Sequence, residues 1–227
     1  MDVSRVGVSC LLIVLMSITS AHAEENRYCA AEDWNGTVPT TDIATWRAGA
    51  VTAGKPSLLR LAFDSSDSKC GGRPCFARGG VTGVEVRQVG SSVCVGVPQE
   101  GKLATMFGWI PMSRWHVTDS SPQPAVRWVG VWQNETAKIT VQSQDDGQLN
   151  IRGHAVRDLG PDGRNVEFFG DFSITGMLEN GVATANDDSD PCKVSVRLVG
   201  DYLVAKDNGG CGGMGVSFSG IYRLRHH

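Results

Sequence analysis

The sequence predicts an all-β protein built from two modules. Apolar and polar residues alternate along many short segments, and glycine- and aspartate-rich turns separate these segments at spacings of about 8–12 residues. No segment of the second half has the apolar period of a long helix. The second half therefore predicts about eight strands in an antiparallel barrel or sandwich, and the first half is also mostly strand.

Residues 1–23 have the layout of a cleaved secretory signal peptide. One positive charge, Arg5, precedes an apolar run at 10–16, and Ala21-His-Ala23 then supplies the two small residues of a cleavage site. The run is too short to span a bilayer. We expect a mature chain of residues 24–227 that is periplasmic or secreted and has no membrane span after cleavage.

A turn-rich stretch divides the mature chain. Residues 119–124 read Asp-Ser-Ser-Pro-Gln-Pro and show no apolar periodicity, which is typical of a linker. We expect a first domain over 24–116, a linker over 117–126 and a second domain over 127–227.

The first domain ends in a recognisable element. Gly108-Trp-Ile-Pro111, followed by Met112-Ser-Arg-Trp115, resembles the closing hairpin and short helical turn of bacterial SH3-like domains. In that family the tryptophan and proline are buried at the end of a small barrel, so the resemblance implies a small SH3-like barrel over about residues 70–115. The strands predicted in the first domain are 57–63, 83–87, 92–96 and 104–109, and residues 27–56 give no clear pattern.

The second domain shows the clearest alternation. Asp145-Asp-Gly147 lies between two alternating segments and predicts a hairpin turn. The strands predicted in this domain are 127–132, 138–142, 148–152, 167–174, 182–185, 193–198, 201–205 and 216–224.

The same half resembles a recurrent module of uncharacterised exported proteobacterial proteins. The likeness spans most of 126–225 and depends on Trp128-x-Gly130-x-Trp132, on the hairpin at 147–155, and on Cys192 with the run from Asp207 to Arg223. In sequences of that kind the second of two cysteines lies in a similar glycine-rich turn. The resemblance implies a disulfide-bonded β module and brings no activity with it.

Six cysteines remain after residue 23, an even set that predicts three disulfides in an exported chain. Fifteen pairings are possible in principle. Four of the six cysteines lie in the first half and two in the second, so the spacing favours Cys192–Cys211, Cys70–Cys75 and Cys29–Cys94.

Gly210-x-Gly212-x-x-Gly215 has the spacing of a dinucleotide-binding motif. That motif requires a helix after the glycines, because the helix N-terminus faces the pyrophosphate. Residues 216–224 alternate as a strand does. We therefore expect a turn shaped by glycine and no bound cofactor.

Catalytic and metal-binding patterns are weak. His154 lies near Asp158, but no serine or cysteine nucleophile stands in a recognisable turn beside it. The acidic run at 186–190 departs from the calcium-loop spacing, and a zinc site at Cys70 and Cys75 would need two further ligands and reduced thiols. We expect no metal site and no enzyme, with a hydrolase using His154 and Asp158 as the least favoured alternative.

Charge and aromatic residues indicate the partner class. The formal net charge is −3, which gives no electrostatic reason to expect nucleic acid. Trp109, Trp128 and Trp132 stand in core-type motifs, whereas Trp34 and Trp46 lie outside clear strands and are predicted as surface binding residues.

These observations favour a non-enzymatic envelope protein that binds a peptidoglycan fragment or a periplasmic protein, a lytic enzyme among them. The alternative is an inhibitor of a lysozyme or other cell-wall hydrolase. Ser217-Phe-Ser-Gly-Ile-Tyr222 slightly resembles a stretch of the periplasmic lysozyme inhibitors, which makes Ser219 and Tyr222 candidate binding residues.

Overall fold

Strands form almost all the regular structure of the computed structural model, which describes residues 29, 31–33, 36–38, 41–59, 69–70, 73–99, 103–119, 121–158, 167–185 and 191–225. Of residues 31–33, 36–38, 69–70, 73–74 and 119 it describes the backbone alone. No α-helix occurs in these ranges. The predicted signal peptide lies outside them, and the observed strands are β1 (Ala31–Asp33), β2 (Gly36–Val38), β3 (Arg47–Val51), β4 (Ser57–Leu58), β5 (Lys69–Cys70), β6 (Arg73–Pro74), β7 (Phe76–Ala77), β8 (Thr82–Val89), β9 (Ser92–Pro98), β10 (Thr105–Pro111), β11 (Trp115–Asp119), β12 (Gly130–Gln133), β13 (Ala137–Ser143), β14 (Leu149–Asp158), β15 (Glu167–Gly176), β16 (Val182–Thr184), β17 (Val194–Val199), β18 (Tyr202–Asp207) and β19 (Gly220–Leu224).

The first module is a five-stranded antiparallel sheet in the order β10-β9-β8-β3-β11. A short 3-10 turn, Met112–Arg114, joins β10 to β11. The valine-rich strand β9 is buried on both faces, because Val93, Val95 and Val97 pack within the module while Cys94 faces the other way. This sheet therefore has an internal core and a second apolar face.

The second module is an eight-stranded, nearly closed antiparallel barrel in the order β15-β14-β13-β12-β19-β18-β17-β16. The all-β class and the architecture predicted for this half are confirmed. Alternation decides which side chains point inwards: Leu149, Ile151 and Ala155 are buried in the barrel, while Arg152 and His154 are exposed. Trp109, Trp128 and Trp132 are buried, as their motifs predict.

The two modules share a hydrophobic cluster. The second face of the five-stranded sheet, with Trp109 and Phe107, packs on outward-facing residues of the barrel, Val204 and Ile221 among them. Gly96 permits this approach, since a Cβ there would lie 2.5 Å from Ile221 Cδ1 and 2.7 Å from Phe107 Cε1. The sheet and the barrel thus bury apolar surface against each other.

The segment predicted as a linker contacts the barrel through a buried Gln123. Gln123 is 7 % exposed, its Oε1 accepts a hydrogen bond of 2.5 Å from Arg127, and its carbonyl accepts one of 3.4 Å from Trp128 Nε1. The chain then enters a 3-10 turn, Ala125–Trp128. The division of the chain at 117–126 stays a prediction: residues 117–119 belong to β11 of the first module, and Gln123 is held by Arg127 and Trp128 of the second.

Two of the predicted disulfides are confirmed. Cys29 is bonded to Cys94 and Cys192 to Cys211. Cys75 is also disulfide-bonded. The side chain of Cys70 lies outside the described part, so the Cys70–Cys75 pairing stays a prediction. A cross-link over nineteen residues, such as Cys192–Cys211, stabilises by about 3 kcal/mol, chiefly by restricting the unfolded chain.

Candidate functional site

A cleft with a volume of ≈ 980 Å³ lies between the modules. Thr82 and Leu103 of the first module line it on one side. The barrel supplies the other side through its 3-10 turn, the end of β12, the β17–β18 turn and the end of β19. A volume of this size is in the usual range for small-molecule sites.

The 3-10 turn places two valines on the rim of the cleft. Trp128 takes the inward position of the turn and is fully buried. Trp132 Nε1 donates to the carbonyl of Trp128 at 2.7 Å, which fixes the end of the turn. Val126 and Val129 consequently point outwards and are 75 % and 41 % exposed. Together with Leu103, they give the cleft an exposed aliphatic rim.

Polar contacts line the cleft and cross the module boundary. Arg127 Nη2 donates to Asp201 at 2.6 Å in an exposed ion pair. Across the module boundary, the hydroxyls of Tyr202 and Thr82 lie 2.8 Å apart. Burial raises the pKa of Tyr202 above its ordinary value, so its hydroxyl keeps its proton at neutral pH. The cleft is therefore built by hydrogen bonds as well as by packing.

Two further arginines come from β19 and its end. Arg223 Nη1 donates to the carbonyl of Gln99 at 3.3 Å, while its Nη2 is buried and has no hydrogen-bond partner in the described part of the chain. Arg225 is exposed, and its backbone N–H donates to the Val131 carbonyl at 2.8 Å. A buried N–H without a partner costs free energy, whereas the guanidinium of Arg225 is open to solvent.

The cleft is positively charged. Arg127, Arg223 and Arg225 line it against one carboxylate, Asp201, among its described residues. The chain as a whole carries a formal charge of −3. The local sign is thus opposite to the global one, so an anionic group is drawn to this part of the surface.

The predicted binding tryptophans do not line the cleft. Trp46 is 1 % exposed, lies in the cluster between the modules, and donates from Nε1 to Thr41 Oγ1 at 2.9 Å. The expectation that Trp46 is a surface residue is wrong, because packing of the modules covers it. Trp34 lies outside the described residues.

Tyr222 and Ser219 are engaged inside the barrel module. Tyr222 is fully buried and donates to the Phe218 carbonyl at 2.7 Å, and burial raises the pKa of its hydroxyl. Ser219 Oγ accepts from the backbone N–H of Asp207 at 2.9 Å and donates to its carboxylate at 3.2 Å. In this arrangement Tyr222 offers no surface to a partner, so its predicted binding role is not compatible with its position.

The glycine-rich loop is a structural turn. The Asp207 carboxylate accepts hydrogen bonds from the backbone of Gly209 and Phe218 and from the hydroxyl of Ser217. Gly212 lies so close to β15 that a Cβ would be 2.7 Å from the Phe169 carbonyl oxygen. No helix follows the glycines, as the alternation predicts. The glycines serve the close approach of the loop to β15.

His154 pairs with Asp171, not Asp158. The His154 Nδ1 and Asp171 Oδ1 atoms lie 2.8 Å apart on neighbouring positions of β14 and β15. Both side chains are exposed, and the imidazole stacks on exposed Phe169 at 6.1 Å. This is the geometry of a solvated surface pair, whose contribution to stability is small.

Within the described ranges, no group of three or more His, Cys, Asp or Glu residues is arranged to hold a metal ion. No helix in those ranges is long and apolar enough to span a membrane.

Sequence reasoning missed the arginines and valines of the cleft. Arg127 and Val126 lie next to or within a stretch interpreted as linker, and Arg223 and Arg225 lie at the end of a strand. The sequence carried one signal for the site, which is an apolar residue, Val126, next to Arg127 in the turn after Pro124.

Comparisons with family models, with curated proteins and with solved structures give no match.

Proposed function

We propose that this chain is a non-enzymatic protein of the bacterial cell envelope that binds a cell-wall component in the cleft between its modules. The observation that carries the proposal is the preformed cleft itself, with its aliphatic rim and its arginines. Concave sites with apolar walls and a few fixed polar groups are typical ligand sites.

The disulfides indicate a compartment outside the cytoplasm. With the predicted signal peptide, they support a periplasmic or secreted protein. A cell-wall component is then among the ligands the protein would meet.

The first module supports an SH3-like assignment. Its order, β10-β9-β8-β3-β11, places the last strand beside the first, and a 3-10 turn stands between the last two strands, as the resemblance of Gly108–Pro111 implies. The likeness to bacterial SH3-like domains favours a binding role in the envelope.

Binding is favoured over the two alternatives. The His154–Asp171 pair is exposed and lies outside the cleft. The inhibitor alternative drew on Ser219 and Tyr222, which bond within their own module. The inhibitor alternative predicts slower turnover of a lysozyme at stoichiometric amounts of the protein. Unchanged turnover of the lysozyme at excess protein would rule this alternative out.

Co-sedimentation with peptidoglycan sacculi tests the proposal. The oxidised 24–227 chain should bind saturably over a salt series, and Val126→Asp should weaken binding about fivefold, the effect of losing about 1 kcal/mol of apolar contact. Met214→Asp is the matched control, because Met214 is a similarly exposed residue (63 %) that does not line the cleft. A chain that stays in the supernatant at every salt concentration would refute wall binding.

A further inference from the structure

We propose that the cleft recognises the peptide part of the cell wall, through its carboxylates and small aliphatic side chains, and not the glycan strand. This inference rests on the proposed function and narrows it to one ligand chemistry.

The charge of the cleft selects for carboxylates. The guanidinium of Arg127 is already hydrogen-bonded to Asp201 and Gln123, whereas Arg225 is exposed and Arg223 lines the cleft. A carboxylate accepts from guanidinium groups in charge-assisted hydrogen bonds, which are about twice as strong as neutral ones. A neutral sugar hydroxyl gains less from the same arginines.

The walls of the cleft favour aliphatic groups over sugar rings. Its aromatic residues, Trp132 and Tyr202, are 2 % and 7 % exposed, so neither presents an open ring face. Its exposed apolar residues are aliphatic, with Leu103 at 38 % and the two rim valines above that value. Side chains such as alanine pack on such a surface, and a pyranose ring finds no aromatic platform.

The size and place of the cleft suit a short peptide. Its ≈ 980 Å³ extends from Thr82 and Leu103 in the first module to Arg225 at the end of the barrel. A peptide of a few residues can therefore place an aliphatic side chain at the rim and a carboxylate at Arg223 or Arg225. A wall peptide that carries both alanine methyl groups and free carboxyl groups has this composition.

Calorimetric titration of the oxidised 24–227 chain with three purified wall fragments tests the inference. The probes are a disaccharide with its peptide stem, the same disaccharide without the stem and with its lactyl carboxylate amidated, and the disaccharide with its stem in which every carboxylate is amidated. We expect binding of the first alone, and a loss of at least about tenfold in affinity in Arg225→Gln, the size of one charge-assisted hydrogen bond. Equal affinity for the disaccharide without a peptide would overturn the inference.

Variants and a second peptide make the outcome decisive. Arg223→Gln should also weaken binding, and Arg152→Gln, an exposed arginine of β14 outside the cleft, should not. An acidic alanine-rich peptide of L-residues with a free carboxyl terminus serves as a model of a protein tail. If it binds more tightly than the wall fragment, the partner is a protein and the wall assignment is wrong.

The two proposals fail in distinguishable ways. Binding to intact sacculi together with equal binding to sacculi stripped of their peptides keeps the proposed function and refutes the peptide inference. Absence of binding to intact sacculi refutes the proposed function itself.

Discussion

At the scale of single residues, Arg197 joins the barrel to the first module. Its Nη1 donates to the carbonyls of Ile43, Ala44 and Trp46 at 3.0, 2.7 and 3.0 Å. These carbonyls belong to a 3-10 turn, Ile43–Thr45, and to the residue after it. Burial lowers the pKa of Arg197, which the Asp42 carboxylate partly offsets, and the guanidinium stays charged at neutral pH. One side chain thus satisfies backbone acceptors that the packing of the modules removes from water.

Replacement of Arg197 by methionine should lower the free energy of unfolding by about 2–3 kcal/mol, because three carbonyls at the module boundary lose a charged donor. Urea unfolding of the oxidised protein measures this change. Arg152→Met on the exposed face of β14 is the control, with an expected change within about 0.5 kcal/mol. Equal midpoints for the two variants would show that Arg197 does not hold the boundary.

At the scale of elements, the turn after β18 is organised by Asp207. Its carboxylate accepts from Gly209 N–H at 3.1 Å, from Ser217 Oγ at 3.1 Å and from Phe218 N–H. The adjacent Asn208 fixes the start of the loop, accepting from Lys193 N–H at 3.1 Å. The Cys192–Cys211 disulfide joins the same two segments, because Cys192 precedes Lys193 and Cys211 lies in the loop after Asn208. The glycine-rich loop is thereby ordered without regular structure of its own.

Asp207→Ala should loosen this loop and cost about 2–3 kcal/mol, since several donors lose one charged acceptor. Hydrogen exchange measured by mass spectrometry should show faster exchange over 208–219 and unchanged exchange in the β13–β14 hairpin. Asp171→Ala, which removes a 72 % exposed carboxylate, is the control. Unchanged exchange over 208–219 in Asp207→Ala would mean that the disulfide alone orders the loop.

The elements also show how far the sequence determines the fold. The alternation predicted the strands of the barrel, because one face of each is buried and the other is solvated. It failed for β3, Arg47-Ala-Gly-Ala-Val51, whose alanines and glycine have low β propensity and which is a strand because β8 and β11 pair with it. The alternation also predicted too long a strand over 216–224. The observed strand begins at Gly220, because the Phe218 N–H donates to the Asp207 carboxylate and not to a neighbouring strand.

At the scale of the whole molecule, the candidate site was not predictable because it arises from the association of the modules. The cleft exists where Thr82 and Leu103 of one module face Arg127 and Arg223 of the other, residues far apart in sequence. Trp46 was misjudged for the same reason, since the surface it would occupy on an isolated module is covered by the barrel. Periodicity reports which face of a strand is buried, and it carries no information about which module covers that face.

The integrity of the cleft should therefore depend on the packing between the modules, and Gly96→Val tests this dependence. A Cβ at Gly96 would lie 2.5 Å from Ile221 Cδ1 and 2.7 Å from Phe107 Cε1, so valine must displace both side chains within the buried cluster between the modules, at a cost of about 1–3 kcal/mol. Gly176→Val is the matched control, because it adds the same side chain to a β strand where no atom lies within 4 Å of the new Cβ.

Calorimetric unfolding should show one transition for the native chain and for the control. Gly96→Val should instead show a lowered or divided transition together with weaker binding to sacculi, because Thr82 and Leu103 no longer face the arginines of the barrel. Full binding by a Gly96→Val protein whose transition has divided would place the ligand on one module alone, and the cleft would then not be the site.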